Sequence, residues 1–259
     1  MDLFKSLTQA EKKVLLQQMK IEWTYSSNAI EGNTLSLGDT QFIIENGLTV
    51  KGKSIKEHNE VIGHARAIDL IYEMLDKAVL TQEDIFLLHR SILTEVVVDI
   101  YSPIGAYKSE DNGRYISVNN QSEYLAYPSV ADIQHLMQLW LAYFNAHLHI
   151  DTLDEAIEVY TYLHLSFSSI HPFFDGNGRL ARLLANIPLL KNGFLPLVVK
   201  QENRQEYIQT LSSYQLRANP LNRDSRFLIQ ETTEYSETIN FFKEEYKNIQ
   251  NLLKRITSK

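Results

Sequence analysis

Apolar residues recur at intervals of three and four along most of the chain, the spacing that lines one face of an α-helix. On this pattern helices are predicted over residues 11–29, 55–75, 82–93, 130–146, 153–168, 179–190, 205–214 and 227–256. The expected fold class is mainly α, a helical bundle of about eight to ten helices. The last predicted helix carries Phe241, Phe242, Tyr246, Ile249, Leu252, Leu253 and Ile256 at helical spacing, so it either covers the core or joins two copies in a homodimer. Residues 105–127 depart from the pattern. There Asp111-Asn112-Gly113 stands between Ala106-Tyr107-Lys108 and Tyr115-Ile116-Ser117-Val118, which reads as a hairpin turn between two short strands. A lone hairpin is marginal in water, so it is expected to lie across the helical body as a flap, with an edge on which an extended segment of another protein can pair. A solvated connecting loop is the other reading of the same stretch.

Composition supports this picture and narrows the chemistry. The 259 residues are 44% hydrophobic and 22% charged, an ordinary balance for a folded globular protein, and only six prolines and ten glycines interrupt the helical pattern. Lys and Arg number 25 against 32 Asp and Glu, giving 25 − 32 = −7, so no global positive field gathers nucleic acid and an anionic ligand must be held locally. The first residues lack the apolar core of a signal peptide, and no run of apolar residues is long enough for a membrane span. A cytoplasmic location, with no membrane or direct nucleic-acid partner, is the expectation. With no cysteine there is neither a disulfide nor a thiolate, and whatever chemistry exists falls to His, carboxylates and Arg.

One stretch gathers those residue types: His171-Pro172-Phe173-Phe174-Asp175-Gly176-Asn177-Gly178-Arg179-Leu180-Ala181-Arg182. Pro172 biases His171 away from helical dihedrals, so a helix should end near Ile170 and present the imidazole from a loop. Gly176 and Gly178 permit positive φ and close backbone approach, and a helix then begins near Arg179, which makes an anion site of unpaired amides and the helix dipole. Arg179 and Arg182 share one face of that first turn and call for an anionic partner. A polyphosphate satisfies amides and arginines together, Asp175 can hold a magnesium ion bridging its oxygens, and His171 is left as the proton acceptor. Singly, each of these residues has an ordinary structural explanation as a turn or a solvated face. Within twelve residues their coincidence is specific.

The pattern His-x-Phe-x-Asp/Glu-Gly-Asn-Gly-Arg-x-x-Arg, met here at every specified position, resembles the signature of the Fic (filamentation induced by cAMP) family. The resemblance extends over roughly residues 55–200, with Glu57-His58-Asn59-Glu60 opening a preceding helix and the flap upstream of the motif. It implies a Fic-type helical bundle with a β-hairpin flap: an N-terminal helical region over 1–54, a core over 55–200 and a C-terminal helical extension over 201–259. It further implies a protein adenylyltransferase, in which His171 takes the proton of a target Ser, Thr or Tyr hydroxyl that attacks the α-phosphorus of ATP, and pyrophosphate leaves. Asp175 would bind Mg2+, the Gly176-Asn177-Gly178 backbone and Arg179 would hold the α- and β-phosphates, Arg182 would meet the γ-phosphate, and Phe173 would be a buried anchor. The target protein would dock on the flap through Tyr107, Lys108, Tyr115, Ile116, Ser117 and Val118.

Ser27 and Glu31, four apart on one helical face and followed by the helix stop Gly32-Asn33, read alone as an ordinary helix end. Beside the motif they resemble the family's Ser/Thr-x-x-x-Glu-Gly/Asn inhibitory helix, here at about residues 15–33. That resemblance implies a bidentate pair between Glu31 and Arg182 that displaces the γ-phosphate. Lys108 stands where relatives often carry Arg, and Pro128-Ser129 where two prolines are common. Tyr207 either stacks on adenine or belongs to the core, and Asn186 either lines the pocket or packs. His147, His149, His164 and His171 lack the spacing of a metal hydrolase. Alternatives to AMP transfer are deAMPylation with Glu31 orienting water, transfer of another phosphate-linked group, and a nucleotide-sensing interaction module.

Overall fold

A computed structural model of the chain describes residues 8–93, 103–118 and 121–257. In order it contains α1 (Gln9–Ile30), α2 (Leu37–Asn46), α3 (Ile55–Met74), α4 (Gln82–Ile92), β1 (Gly113–Val118), β2 (Gln121–Ala126), α5 (Val130–Ala146), α6 (Leu153–Ile170), α7 (Asn177–Leu184), α8 (Asn186–Lys191), a 3-10 turn (Gln201–Asn203), α9 (Arg204–Arg217) and α10 (Thr233–Thr257). The first four helices start alike. Thr8 with Glu11, Ser36 with Asp39, Ser54 with Glu57 and Thr81 with Asp84 each form a reciprocal capping box, satisfying amides that a helix start leaves unpaired.

The core forms around α6, which is buried on nearly every side through residues such as Ile157, Tyr160, Leu163, Phe167 and Ile170. Helices α5, α7, α8 and α10 pack against it, and Trp140 of α5 donates its indole N–H to the Leu163 carbonyl at 3.0 Å. Helix α10 therefore covers the core: Phe241, Phe242, Tyr246 and Ile249 are all buried, while the side chains of Leu252, Leu253 and Ile256 lie outside the described residues. It begins at Thr233 rather than at 227, because residues 219–230 are held in an irregular connection by hydrogen bonds of Asn219, Asn222 and Gln230.

Three expectations need correcting. The apolar period predicts no helix over Leu37–Asn46, whose buried face is only Thr40 and Ile43; its signals are the Ser36-Asp39 capping box and Gly47, a left-handed C-cap at φ 66°. The predicted 179–190 helix divides at Ala185. Pro188 has no N–H and its ring crowds the carbonyl four residues back, so the ladder breaks, and Asn186 bonds the Arg182 and Leu197 carbonyls, both at 2.9 Å. Asn186 thus packs.

The third correction is the hairpin. β1 and β2 pair antiparallel with Gly113 opposite Ala126 and Tyr115 opposite Tyr124, so the chain reverses after Val118 and not at Asp111-Asn112-Gly113. Those residues close the open end of the ladder instead. The Asn112 carbonyl accepts the Tyr127 N–H at 3.0 Å, and Asp111 accepts the Val130 N–H at 2.7 Å. Residues 106–108 form no strand, and Tyr107 and Lys108 are off the flap: Tyr107 packs on Phe86 and Phe173, and Lys108 is buried with its N–H on the Pro172 carbonyl at 2.9 Å. Alternation along the strands puts Tyr115 and Tyr124 on the exposed face and Arg114 and Ile116 toward the body. The side chains of Ser117 and Val118 lie outside the described residues. Among the described residues no helix is long and apolar enough to cross a membrane.

Candidate active site

Helix α6 ends at His171, which caps it at φ 50° and ψ 58°. It is the one non-glycine residue with positive φ among the described residues, a conformation costing about 1–3 kcal/mol that persists only where the surroundings impose it. The surroundings include Tyr127, whose ring lies parallel to the imidazole with centroids 3.8 Å apart, and the His171 N–H bonded to the Phe167 carbonyl at 3.0 Å. Burial, then the charges of Lys108 and Arg114, push the His171 pKa down to about 3 against the pull of the Ser168 carbonyl and Asp175. The imidazole is therefore neutral at physiological pH and able to accept a proton.

The loop after His171 is built by two side chains. Asn177 accepts the Phe173 N–H at 3.0 Å and donates to the Phe173 carbonyl at 2.8 Å, closing the loop from inside. His89 of α4, which sequence reasoning missed, stacks on Phe173 at 3.9 Å. Its Nδ1 accepts the Gly105 N–H at 2.8 Å, which fixes the proton on Nε2 for donation to the Asp175 carbonyl at 3.1 Å. The only signal for it in the sequence is its place in an α4 predicted to be amphipathic. Gly176 takes the left-handed conformation at φ 82° as N-cap of α7, which starts at Asn177, two residues earlier than expected. Gly178 is helical, so its use is space rather than positive φ: a Cβ there would sit 2.6 Å from Glu31 Oε1.

Arg182 is buried at the centre of the site. It donates from Nη2 to Glu31 Oε1 at 2.7 Å and to the Ser27 carbonyl at 2.9 Å, from Nε to Ser27 Oγ at 3.1 Å and from Nη1 to the Tyr207 hydroxyl at 3.2 Å. Burial opposes its charge, but Tyr207 and Glu31 outweigh that and raise its pKa. The expected bidentate fork with Glu31 is thus replaced by one carboxylate contact, while Ser27 and Tyr207 take three of the other donors. Tyr207 is 3% exposed, packs on Phe241 and Phe242 and passes a hydrogen bond to His164 at 2.9 Å, and the Arg182 guanidinium lies 5.8 Å from its ring centroid; it is a core residue at the cavity wall.

His171, Asn177, Gly178, Arg182, Glu31 and Tyr207 all line one cavity of about 530 Å³, within the range of small-molecule sites. Asp175, Gly176, Arg179 and Ser27 are outside its wall. Asp175 and Arg179 pair with each other at 3.5 Å, and the buried Arg179 Nε has no hydrogen-bond partner among the described residues. Among the polar wall residues, Arg114 and Gln215 were not anticipated: Arg114 is bonded to Ser212 Oγ at 2.9 Å and to Gln215 Oε1 at 2.6 Å, so that the flap is tied to α9. Arg204, also in the wall, donates to the Ile30 carbonyl at 2.7 Å and so caps the end of α1. Arg114, Arg182 and Arg204 face one carboxylate, an excess of 3 − 1 = 2 positive charges in a chain of net −7. A phosphate-bearing ligand fits that imbalance. Asp175 Oδ1 accepts the Gly176 N–H at 2.6 Å and the side chain is otherwise largely exposed. Among the described residues no group of three acidic or histidine side chains could hold a metal alone, so an ion here would need phosphate oxygens besides this carboxylate, the usual arrangement for Mg2+.

A helical body with a hairpin flap, and a cavity lined by arginines, His171 and the glycine-opened start of α7, have the layout expected of the Fic type. Residues 79–189 match the Fic/DOC family, and the chain carries a Fic domain. Over 207 residues it is 33% identical to "Protein adenylyltransferase Fic" of Drosophila erecta, an alignment covering 80% of this chain and 38% of that protein. The chain thus spans less than two-fifths of the length of the curated relatives it matches. Among solved structures, a Fic domain containing signaling protein from Bacteroides thetaiotaomicron VPI-5482 superposes with a TM-score of 0.81 at 28% identity, covering 94% of this chain and 88% of that one. Fic-1 from C. elegans superposes with a TM-score of 0.75 at 27% identity, covering 99% of this chain and 69% of that one.

Proposed function

We propose that the chain transfers AMP from ATP to a Ser, Thr or Tyr hydroxyl of a target protein and is restrained by its own Glu31. The carrying observation is that a neutral imidazole and a buried guanidinium open into one cavity, with the guanidinium held by a carboxylate from another helix. The target hydroxyl, brought beside the flap, gives its proton to His171 as its oxygen bonds to the α-phosphorus. The bond from that phosphorus to the bridging oxygen breaks, and pyrophosphate leaves. Positioning and charge stabilisation supply most of such a catalysis. Gly178 leaves the α7 start open for phosphate oxygens, the orphan donor of Arg179 and the charges of Arg114 and Arg204 favour their negative charge, and Asp175 would hold Mg2+, which neutralises phosphate charge when bound.

Glu31 Oε1 occupies Arg182 Nη2 and stands against Gly178, so a γ-phosphate and this carboxylate compete for the same place. Only this one Glu31 oxygen is engaged by Arg182, which supports deAMPylation in the same cavity as a second reading, with the other oxygen orienting water toward an AMP-modified hydroxyl. ATP labelled at the α-phosphate or at the γ-phosphate, given to Glu31→Gly and to Glu31→Gly with His171→Ala, tests the assignment. Label passing to protein only from the α position and only with His171 intact is expected. Label from the γ position would replace the proposal with phosphoryl transfer, and no label, with release of AMP from a modified protein by the wild-type chain but not by Glu31→Gly, would favour the second reading.

A further inference from the structure

Lys108 is a buried ammonium that the chemistry above leaves unused. It is 2% exposed and, among the described residues, no carboxylate forms an ion pair with it; its Nζ bonds the Asn112 side-chain oxygen at 2.7 Å. Burial pushes its pKa down to about 8. A long apolar side chain would fill this place without the desolvation cost, so an unneutralised charge retained here needs another reason. Its surroundings supply one. The ammonium lies 5.9 Å from the centroid of the Tyr127 ring, and Tyr127 lies flat on His171 at 3.8 Å. The Lys108 N–H holds the Pro172 carbonyl, one residue past the imidazole, and the Asn112 that takes its ammonium also takes the Tyr127 N–H through its carbonyl.

We propose that Lys108 is a positioning residue for His171, clamping the Tyr127 ring against the imidazole and the strained His171-Pro172 turn against the base of the flap. The inference takes His171 as the base of the proposed transfer. The charge is part of the device. The groups facing the imidazole are Lys108 from the segment before β1, Arg114 from β1, Tyr127 after β2, the Ser168 carbonyl of α6 and Asp175 of the motif loop. Lys108 is the foremost of the charges keeping the ring unprotonated, ready for the hydroxyl's proton.

The test follows the His171 ring proton signals by NMR at pH 7 in wild type, Lys108→Met and Lys108→Arg, the signals being assigned by their loss in His171→Asn. In wild type they should stand upfield of an unstacked imidazole, because the ring lies flat on Tyr127; in Lys108→Met they should move toward the unstacked position, while Lys108→Arg keeps the wild-type position. In a Glu31→Gly background, which lifts the proposed restraint, Lys108→Met should melt no lower than its parent and lose about tenfold in transfer kcat with KM for ATP unchanged, a pattern that removal of a merely structural lysine would not give. Lys108→Gln, which keeps a donor for Asn112, replaces the Met variant should that one not fold. Unmoved His171 signals in the uncharged variant overturn the proposal. Moved signals without AMP transfer by any Glu31→Gly variant reject the proposed function and leave this role of Lys108 standing.

Discussion

Replacing Glu31 by glycine removes one charge-assisted hydrogen bond of 2.7 Å from a guanidinium that is 3% exposed at its side chain, while the carboxylate itself is 42% exposed. A hydrogen bond to a charged group is worth roughly 1.5–3 kcal/mol, and the exposure of Glu31 places this one toward the lower figure. If the γ-phosphate must displace it, that energy is withdrawn from productive ATP binding in wild type and returned in Glu31→Gly. At about 1.4 kcal/mol per factor of ten, transfer should rise about ten- to thirtyfold at subsaturating ATP. A larger gain would mean that α1 also shifts, since moving an equilibrium from 1:99 to 99:1 takes about 5.5 kcal/mol. Arg182 is not orphaned in the variant, because both contacts to Ser27 and the Tyr207 hydroxyl remain. The stability loss should therefore be about 1 kcal/mol, a fall of roughly 2–4 °C in Tm for a chain of this size. The assay is the initial rate of label transfer from α-labelled ATP over a series of ATP concentrations, with a thermal melt of each variant. Equal rates in wild type and Glu31→Gly, in preparations that both melt cooperatively, would refute the competition between Glu31 and the γ-phosphate.

Other outcomes follow from buried histidines. In His89→Ala the Gly105 N–H and the Asp175 carbonyl lose their partner, at roughly 1–3 kcal/mol for each buried group left unpaired, so Tm should fall and the ATP titration should weaken as the loop before α7 loosens; unchanged ATP affinity would show that the loop holds without it. His64, His89, His164 and His171 are all neutral in the folded state, with pKa values depressed, to about 4 for His89 and about 3 for His164 and His171. Between pH 6.5 and 5 the unfolded chain binds protons at these positions and the native chain does not, so stability falls as pH falls, by up to about 1.4 kcal/mol per pH unit for each group. Burial raises the carboxyls of Glu22 and Glu245, which work in the opposite sense. Melts from pH 7 to pH 5 should show Tm dropping steadily; a flat Tm would mean that these histidines titrate alike in both states.

Much of the site is legible in the sequence because it is local. The residues from His171 to Arg182 are contiguous, and proline, glycine and arginine act there through dihedral preference and helix-end charge, which depend on near neighbours. Helix existence is legible for the same reason: a 3.6-residue period buries one face whatever it packs on. The misreadings are where two local rules compete. Asp111-Asn112-Gly113 has turn chemistry, yet Asp111 and Asn112 bond Val130 and Tyr127 instead and the reversal moves beyond Val118. In α2 only Thr40 and Ile43 are buried, too little periodic signal, though the capping box stands in plain view.

What the sequence by itself determined is the helical class, a histidine at a helix end before proline, the glycine-opened start of α7 and the presence of a carboxylate at the end of α1. Only the tertiary structure decided which of these meet. Arg182 and Glu31 are 151 residues apart, Arg114 reaches Gln215 across 101, and His89 finds Asp175 across 86. Of two arginines on one predicted face, packing sent Arg182 into the cavity and left Arg179 beside Asp175 outside its wall. Lys108, a surface residue of the flap by its sequence context, is buried behind Tyr127. Periodicity and caps are set by free energies within a few turns of chain, whereas the partner of a buried charge is set by which helices share a core and what desolvation each pairing must offset.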